Sequence, residues 1–467
     1  MSRKVRLSAL LFISFVLLLL CTHFHLEAAS LRLPAASVNH TLQDPWSDKI
    51  FESRSFSNLV VSIHADKREL YSEEQGILTS QYMLQGKEGE RAIRIFVYDS
   101  DGVPLIAQNA GIRVSGATSR SAARKSFRVI ARKDYDESFS KFTYDLWGGR
   151  QTIDGSGKMI REYSSFILHS MRLAMDSTGI HNSVGYSLAR KAGISDAAPT
   201  VPAAVYINGE YQGAYFLLPA KNSHALAELY NIQEPDDIET VSVFEEEKTG
   251  FQTHPEVLEK YLQFVSFVQS ADMCDPEVIE EIERQMDVRQ CLQYYAVNLL
   301  LANGDWMDNN LRVWRCKNNG LPYQDGRWRF YLFDLDWIGS FPELVSVNFC
   351  QATQSNEYYN LLPSLLKNPD YVALFKDIIY QMEQDAFNSD SIESVFSEED
   401  ARILPEITYD YQSDAFCTYL QYSVTSDLPE EEEYLTLDDR VLMVEDFKSH
   451  MQKAPALINE CLDIYYP

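Results

Sequence analysis

The chain has 467 residues, 45% of them hydrophobic, and a formal net charge of −27. That much apolar sequence excludes a largely disordered chain and is enough for two lobes with substantial cores. The acidity argues against nucleic acid or anionic lipid as partners, both of which need a basic surface, and favours a neutral or basic polypeptide.

Arg3, Lys4 and Arg6 precede an apolar run from Leu7 to Cys21, and Leu26-Glu-Ala-Ala-Ser30 follows. A charged start, a short apolar run and small residues near a cut site read as a secretory signal over 1–29, too short for a span of ~20 residues. The expected product is secreted or surface-associated, with no membrane span once the signal is removed; an uncleaved anchor is the alternative. Residues 30–57 are polar and irregular and read as a linker.

A strand-rich unit is expected over 58–220. Strand patterns begin at Leu59–Ile63 and Ala92–Tyr98, with a turn at Asp101-Gly102. Gly111 to Arg132 then carries a strand with Arg113, a small-residue loop from Ser115 to Ser119 that includes Gly116, then Arg120, then a strand entered through Lys125. Small residues let backbone N–H groups approach an anion. Lys125 shares strand parity with Phe127, Val129 and Ala131, as a phosphate-gripping lysine would; the plain structural alternative is a snorkelling strand-end lysine. No Walker motif occurs. Asp176 to Gly193 reads as an amphipathic helix, and Val201–Ile207 with Tyr211–Leu217 as a hairpin turning at Asn208-Gly209.

The remainder, 221–467, is expected to be mostly helical. Helical spacing from Ile279 to Leu300 stops at Asn303-Gly304, and a polar loop with Asp305, Asp308, Asn309 and Asn310 follows. Leu311–Cys316 and Arg327–Phe333 read as a hairpin. Pairing symmetric about Pro322 would set Asn310 opposite Asp334 and Asp308 opposite Asp336, with Asp334 and Asp336 on one face. Such a cluster of oxygens suits Mg²⁺ or Mn²⁺, with Asp334 favoured as the main ligand. An Asp-x-Asp pair alone is most simply a solvated turn. It is also a metal motif of nucleotide-sugar glycosyltransferases, but no open parallel-sheet pattern precedes it. An acidic loop with Asp, then Asn five positions on, then a hairpin and a further Asp is the order of parts in a kinase catalytic lobe. On that template Asp305 is the base, and Asn310 and Asp334 are metal ligands.

The tail has helical spacing over Tyr358–Met382 and Val441–Tyr466, and its acidic run Pro429–Tyr434, like Glu245–Glu247, reads as a solvated face. Cys274, Cys291, Cys316, Cys350, Cys417 and Cys461 show no Cys-x-x-Cys spacing, so each is expected to be a buried free thiol. Beyond His23 and His25 the histidines form no ligand-spaced cluster.

Arg113, Gly116, Ser119-Arg120, Lys125-Ser-Phe-Arg128, Asn208-Gly-x-Tyr-x-Gly-x-Tyr215, Asp305-Trp with Asn309-Asn310, Trp314-Arg315 and Asp334-x-Asp336 together resemble the spore-coat-protein-H (CotH) kinase family. The resemblance runs in order from about Leu59 to Gly339. It implies an α+β, two-lobed atypical protein-kinase-like fold with a strand-rich N-lobe and a helical C-lobe. It also implies transfer of the γ-phosphoryl of ATP to Ser or Thr of a secreted or surface protein, with Mg²⁺ or Mn²⁺. Carried over by position, Lys125 grips the nucleotide phosphates beside Arg113, Gly116, Ser119 and Arg120. Asp305 is catalytic, and Asn310, Asp334 and Asp336 bind metal. Glu162 and Asp176 are candidate partners for Lys125. Three positions depart from the family's pattern: His181-Asn182 replaces an Arg-Asp, Leu168-His-Ser-Met171 replaces Leu-Arg-Asn-Gly, and Pro219 replaces a Glu. These fall on the expected nucleotide side, so a weak or inactive pseudokinase acting as a surface binding protein is the alternative.

Overall fold

The computed structural model describes residues 38–171, 176–242, 254–307, 309–413 and 436–467. The proposed signal, Asp308, Cys417 and both acidic runs lie outside the described residues. The protein is a mixed α and β structure. Its strand-rich part is not an open sheet but a closed seven-stranded barrel, in the order β1-β2-β3-β4-β7-β9-β8. The strands are β1 (Leu59–Ala65), β2 (Arg91–Tyr98), β3 (Pro104–Ser115), β4 (Ser126–Ile130), β7 (Ser165–Ser170), β8 (Val201–Ile207) and β9 (Glu210–Pro219). Neighbours are antiparallel except β1 and β8, whose parallel pairing closes the barrel. The short pair β5 (Phe142–Thr143) and β6 (Glu162–Tyr163) stands apart.

Strand parity assigns the two faces of the barrel to different cores. Phe127, Val129, Phe166, Leu168 and Leu217 fill the enclosed core. Their neighbours Ile167, Ala214, Phe216 and Leu218 point the other way and pack into the helical core. On β1, β2 and β8 the outer face is covered differently. Val60, Phe96, Tyr98 and Tyr206 pack against Ile50 and Phe56. Ile50 lies on α1 (Ser47–Ser53), within the stretch read as a linker, and is 1% exposed. Asp44 ties this segment to the barrel, accepting from the Tyr98 hydroxyl at 3.1 Å and bonding His64 Nε2 at 2.7 Å. The polar composition of 38–57 hides its apolar anchors, Ile50 and Phe56 buried and Val38, Leu42, Trp46 and Phe51 partly buried against the same cluster.

The Asn208-Gly209 turn is present, both residues having positive φ, +50° and +79°, as the tightest hairpin turns require. Asn208 also bonds the N–H and C=O of Ala65 through its side chain, at 3.1 and 3.0 Å. The rest of that motif builds a structural node. Gly213, at φ +132°, has no room for a Cβ, which would lie 2.5 Å from the Arg124 guanidinium. Arg124 in turn pairs with Asp410 at 2.7 Å, and Asp410 accepts from the Tyr211 hydroxyl and the Ala214 N–H. Tyr215 donates to the Lys125 carbonyl.

After α2 (Lys67–Tyr71) and the barrel strands, the helices are α3 (His181–Lys191), α4 (Ser223–Tyr230), α5 (Pro255–Ser270), α6 (Pro276–Gln285) and α7 (Val288–Leu300). They continue with α8 (Leu344–Gln354), α9 (Leu362–Leu365), α10 (Pro369–Asp385), α11 (Ser389–Gln412) and α12 (Leu437–Tyr465). The helix expected from Asp176 starts at His181, because Asp176 uses its carboxylate to accept from Gly179 and His181 N–H groups. The single helical run expected from Ile279 is two helices. Met286 is extended and bridges to Trp328, and Asp287 then caps α7 by accepting from Gln290 N–H. Cys291, Cys316 and Cys461 are buried free thiols, whereas Cys274 is exposed and Cys350 half-buried.

Candidate functional site

The hairpin after the polar loop pairs one residue away from the symmetric register. β11 (Arg312–Cys316) and β12 (Arg329–Phe330) align Val313 with Phe330 and Trp314 with Arg329, and β11 also pairs with β10 (Ile238–Ser242). A one-residue slip exchanges the faces of a strand, so Asn310 does not face Asp334 through this ladder. The ladder ends soon after Phe330, and Asp334 has left it altogether at φ +62°.

The Asp334–Asp336 turn is instead shaped by α3. Tyr186 accepts from the Asp334 N–H, and Asn182 accepts from the Leu335 N–H, both at 3.1 Å. The His181 Nδ1–H donates to the Asp336 carbonyl at 3.1 Å. Gly185 lets the helix come close, since a Cβ there would lie 2.8 Å from Ile338 and 3.0 Å from Leu335. His181 and Asn182, which replace the Arg-Asp of the family's pattern, therefore hold the backbone of the acidic turn.

The polar loop joins the same turn from the other side. Asn303 bridges Ile338 in antiparallel sense, and Gly304 N–H donates to the Trp337 carbonyl. Continued by two residues, that register brings Asp305 alongside Asp336. The Asp305 carboxylate accepts from the Asn309 side chain at 3.0 Å and from the Asn310 side chain at 2.8 Å. Asn310 reaches it from a left-handed backbone, φ +49°.

Two further side chains complete the cluster. His169, on the outer face of β7 two residues beyond Ile167, is 8% exposed. One of its ring nitrogens and carboxylate oxygens of Asp334 and Asp336 all lie within 4.8 Å of one another. Lys221, just past β9, donates to Asp334 Oδ1 at 2.9 Å. Burial raises the Asp334 carboxyl pKa, but Lys221 and His169 outweigh it and hold the group below the usual carboxylate range. Asp336 goes the other way. Burial first, then the charges of Asp334, Asp176 and Asp305, push it up to about 8. Among the described residues its carboxylate has no hydrogen bond or ion pair.

The basic side is differently furnished. Arg120 donates to the carbonyls of Gly116, Tyr82 and Leu84. Lys125 Nζ donates to the Ala122 carbonyl at 2.6 Å and sits 4.4 Å from the centre of the Tyr82 ring, and burial lowers its pKa. Arg113 lies 3.5 Å from Glu90. Neither acidic candidate pairs with Lys125. Glu162 faces Lys141, and Asp176 is committed to the start of α3. The strand entered through Lys125 does pair with β7, and Ser126 Oγ accepts from the Ser170 N–H, but Lys125 shares the parity of Phe127 in the enclosed core while His169 lies on the outer face.

Of the residues singled out in the sequence, Asp334 and Asp336 come together, as do Asp305 and Asn310, while Arg120 and Lys125 both touch the Tyr82–Leu84 segment and Arg120 also bonds the Gly116 carbonyl. Sequence reasoning missed His169 and Lys221. His169 had a signal: it departs from the family's pattern, and its parity with Ile167 put it on the helix-facing side of β7. It stands at the acidic cluster. Lys221 had none.

A family model described as "CotH kinase protein" matches residues 112–436. No curated protein matches the chain. Among solved structures, the crystal structure of the Helicobacter pylori proinflammatory kinase CtkA is similar at 12% identity, covering 56% of this chain and 92% of that one. The TM-score is 0.23, too low to carry an argument.

Proposed function

The chain belongs to the CotH kinase family, and from that premise we propose that it is an atypical protein kinase, transferring the γ-phosphoryl of ATP to Ser or Thr of a secreted or surface protein. In this reading the barrel acts as the N-lobe and the helices after Ala220 as the C-lobe, with the acidic cluster at the seam between the two cores. The observation that carries it is the convergence of Asp334, Asp336 and His169 within 4.8 Å, beside Asp305, around a carboxylate that has no hydrogen-bond or ion-pair partner among the described residues.

The donor set fits a divalent cation: two carboxylates and an imidazole, with the side-chain oxygen of Asn310, whose amide nitrogen is spent on Asp305, proposed as a further ligand. Bound there, Mg²⁺ or Mn²⁺ would neutralise charge on the ATP phosphates. Phosphoryl transfer asks for positioning and charge neutralisation more than covalent work. Asp305, held by two asparagine amides, orients the substrate hydroxyl and accepts its proton at a carboxylate oxygen. Lys125 and Lys221 contribute cations on the phosphate side, with Gly116, Ser119, Arg113 and Arg120 shaping the loop above them. Export of the chain, its substrate and its Ser/Thr preference belong to the same proposal.

A second reading, an inactive pseudokinase serving as a binding protein, is favoured by one observation. Arg120 is already engaged by three backbone carbonyls and Lys221 by Asp334, so the phosphate-side cations have partners without nucleotide. Thermal unfolding of the protein with ATP and Mg²⁺ or Mn²⁺ separates the two. A stabilisation that needs nucleotide and metal together and disappears in Asp334→Ala supports the kinase. No shift at millimolar concentrations supports the pseudokinase.

A further inference from the structure

We propose that His169 is a nitrogen ligand of the metal site, and that the site therefore takes Mn²⁺ or another borderline first-row divalent cation in preference to Mg²⁺. This deepens the kinase reading and rests on it for the presence of the cation. The ring is more than nine-tenths buried and its orientation is fixed. Nδ1–H donates to the Ser170 carbonyl at 2.9 Å, and the Ser170 N–H in turn is held by Ser126 Oγ at 3.1 Å. With the proton on Nδ1, Nε2 carries the free lone pair, and among the described residues it has no donor. A ring nitrogen bonded to a backbone carbonyl while the other is left open is the usual arrangement of a metal-binding histidine.

A ring nitrogen of His169 and the carboxylates of Asp334 and Asp336 lie within 4.8 Å of one another, and with Nδ1 spent on Ser170 we assign Nε2 as the ligand atom; among the described residues the Asp336 carboxylate has no hydrogen bond. Without a cation the open lone pair would face the Asp336 carboxylate, acceptor against acceptor, the one donor in the cluster being Lys221, which is spent on Asp334. A cation satisfies both at once. Mg²⁺ prefers hard oxygen ligands and keeps much of its water, whereas imidazole suits later first-row ions. One nitrogen among carboxylate oxygens therefore tilts the choice away from Mg²⁺.

The test is Mn²⁺ binding to the full chain without nucleotide, followed by electron paramagnetic resonance, with pulsed detection of ¹⁴N coupling on the bound ion. Mg²⁺ affinity is measured by competition, and His169→Gln and Asp334→Ala are compared with the unsubstituted protein. The expected result is one ¹⁴N coupling, lost in His169→Gln, with Mn²⁺ affinity falling ~10-fold or more and Mg²⁺ affinity changing less. Bound Mn²⁺ without ¹⁴N coupling in the unsubstituted protein overturns the His169 assignment and leaves the carboxylate site and the kinase reading intact. Persistence of the coupling in His169→Gln overturns it equally. Absence of Mn²⁺ binding, or binding unaffected by Asp334→Ala, overturns the His169 proposal and leaves the kinase reading to the measurement with nucleotide and metal together. The ¹⁴N measurement on the unsubstituted protein does not depend on whether either variant folds.

Discussion

Two charge nodes border the barrel, one fully buried and one partly open to solvent, and they are built on opposite principles. At Arg124–Asp410 each charge meets its opposite at 2.7 Å, the side chains being 4% and 0% exposed. The carboxylate also collects a tyrosine hydroxyl and a backbone N–H. At Asp334–Asp336 the charges of three carboxylates, Asp334, Asp176 and Asp305, bear on a fourth, Asp336, and Lys221 is the ammonium that pairs with Asp334. A balanced buried node locks elements together, here the strand entering β4, the β8–β9 hairpin and α11. An unbalanced one costs stability unless something from outside completes it, which is how binding sites differ from staples.

The comparison breaks most visibly at the staple. Asp410→Ala strips the buried Arg124 of its carboxylate and should destabilise the fold by about 3–5 kcal/mol in denaturant unfolding. A loss below about 1 kcal/mol would mean that the node is not what joins α11 to the barrel. The acidic node should behave in reverse. Asp334→Ala or Asp305→Asn relieves like-charge crowding around Asp336, so the unfolding midpoint without metal should hold or rise. Metal-dependent phosphoryl transfer should fall on the order of 10²–10³-fold or more. A variant that loses activity only because it no longer folds would erase the distinction between the nodes.

How far the sequence could show this difference depends on what fixes each feature. Barrel strands such as Leu59–Ile63 and the Asn208-Gly209 turn are legible because local alternation and turn chemistry set them. Asp305, Asp334 and Asp336 were legible as a set because their order along the chain is distinctive. The register was not. Symmetry about Pro322 misplaces the pairing by one residue, since the link between β11 and β12 takes its own turns at Gly320, Tyr323 and Gly326. The loop carrying Asp305 meets the acidic turn through Asn303 and Ile338 instead. His169, on β7, and Lys221, just past β9, enter the site from far back in the chain. Closure of the barrel against α3 makes those contacts, and no local spacing encodes them. The same holds for Asp410, nearly two hundred residues from the hairpin motif it stabilises.

Gly213→Ala sharpens the account of the staple at smaller cost. A methyl group would have to enter at 2.5 Å from the Arg124 guanidinium, on a backbone at φ +132°. The expected destabilisation is about 1–3 kcal/mol. Combined with Asp410→Ala it should fall short of the sum, because both act on the same guanidinium. Strict additivity would show that Gly213 is needed only for its backbone angle.

The smallest effect concerns a third kind of buried carboxylate, one settled neither by a cation nor by a site. Glu228, on α4, accepts from the Ser164 N–H at 2.9 Å. Burial pushes it up to about 7, Glu162 adds to the rise, and Ser164, Lys141 and Arg128 oppose it only partly. Because the folded protein holds this proton more tightly than the unfolded chain, its contribution to stability is complete below the ordinary glutamate range. That contribution is lost as pH rises towards 7. Glu228→Gln keeps the acceptor oxygen and removes the titration, so between pH 5 and 7.5 the variant should lose less stability than the unsubstituted protein, by on the order of 1 kcal/mol. Parallel pH profiles would mean that Glu228 keeps its charge when folded. Its neighbours Lys141 and Arg128 would then balance it much as Arg124 balances Asp410, leaving the acidic turn as the uncompensated node of the comparison.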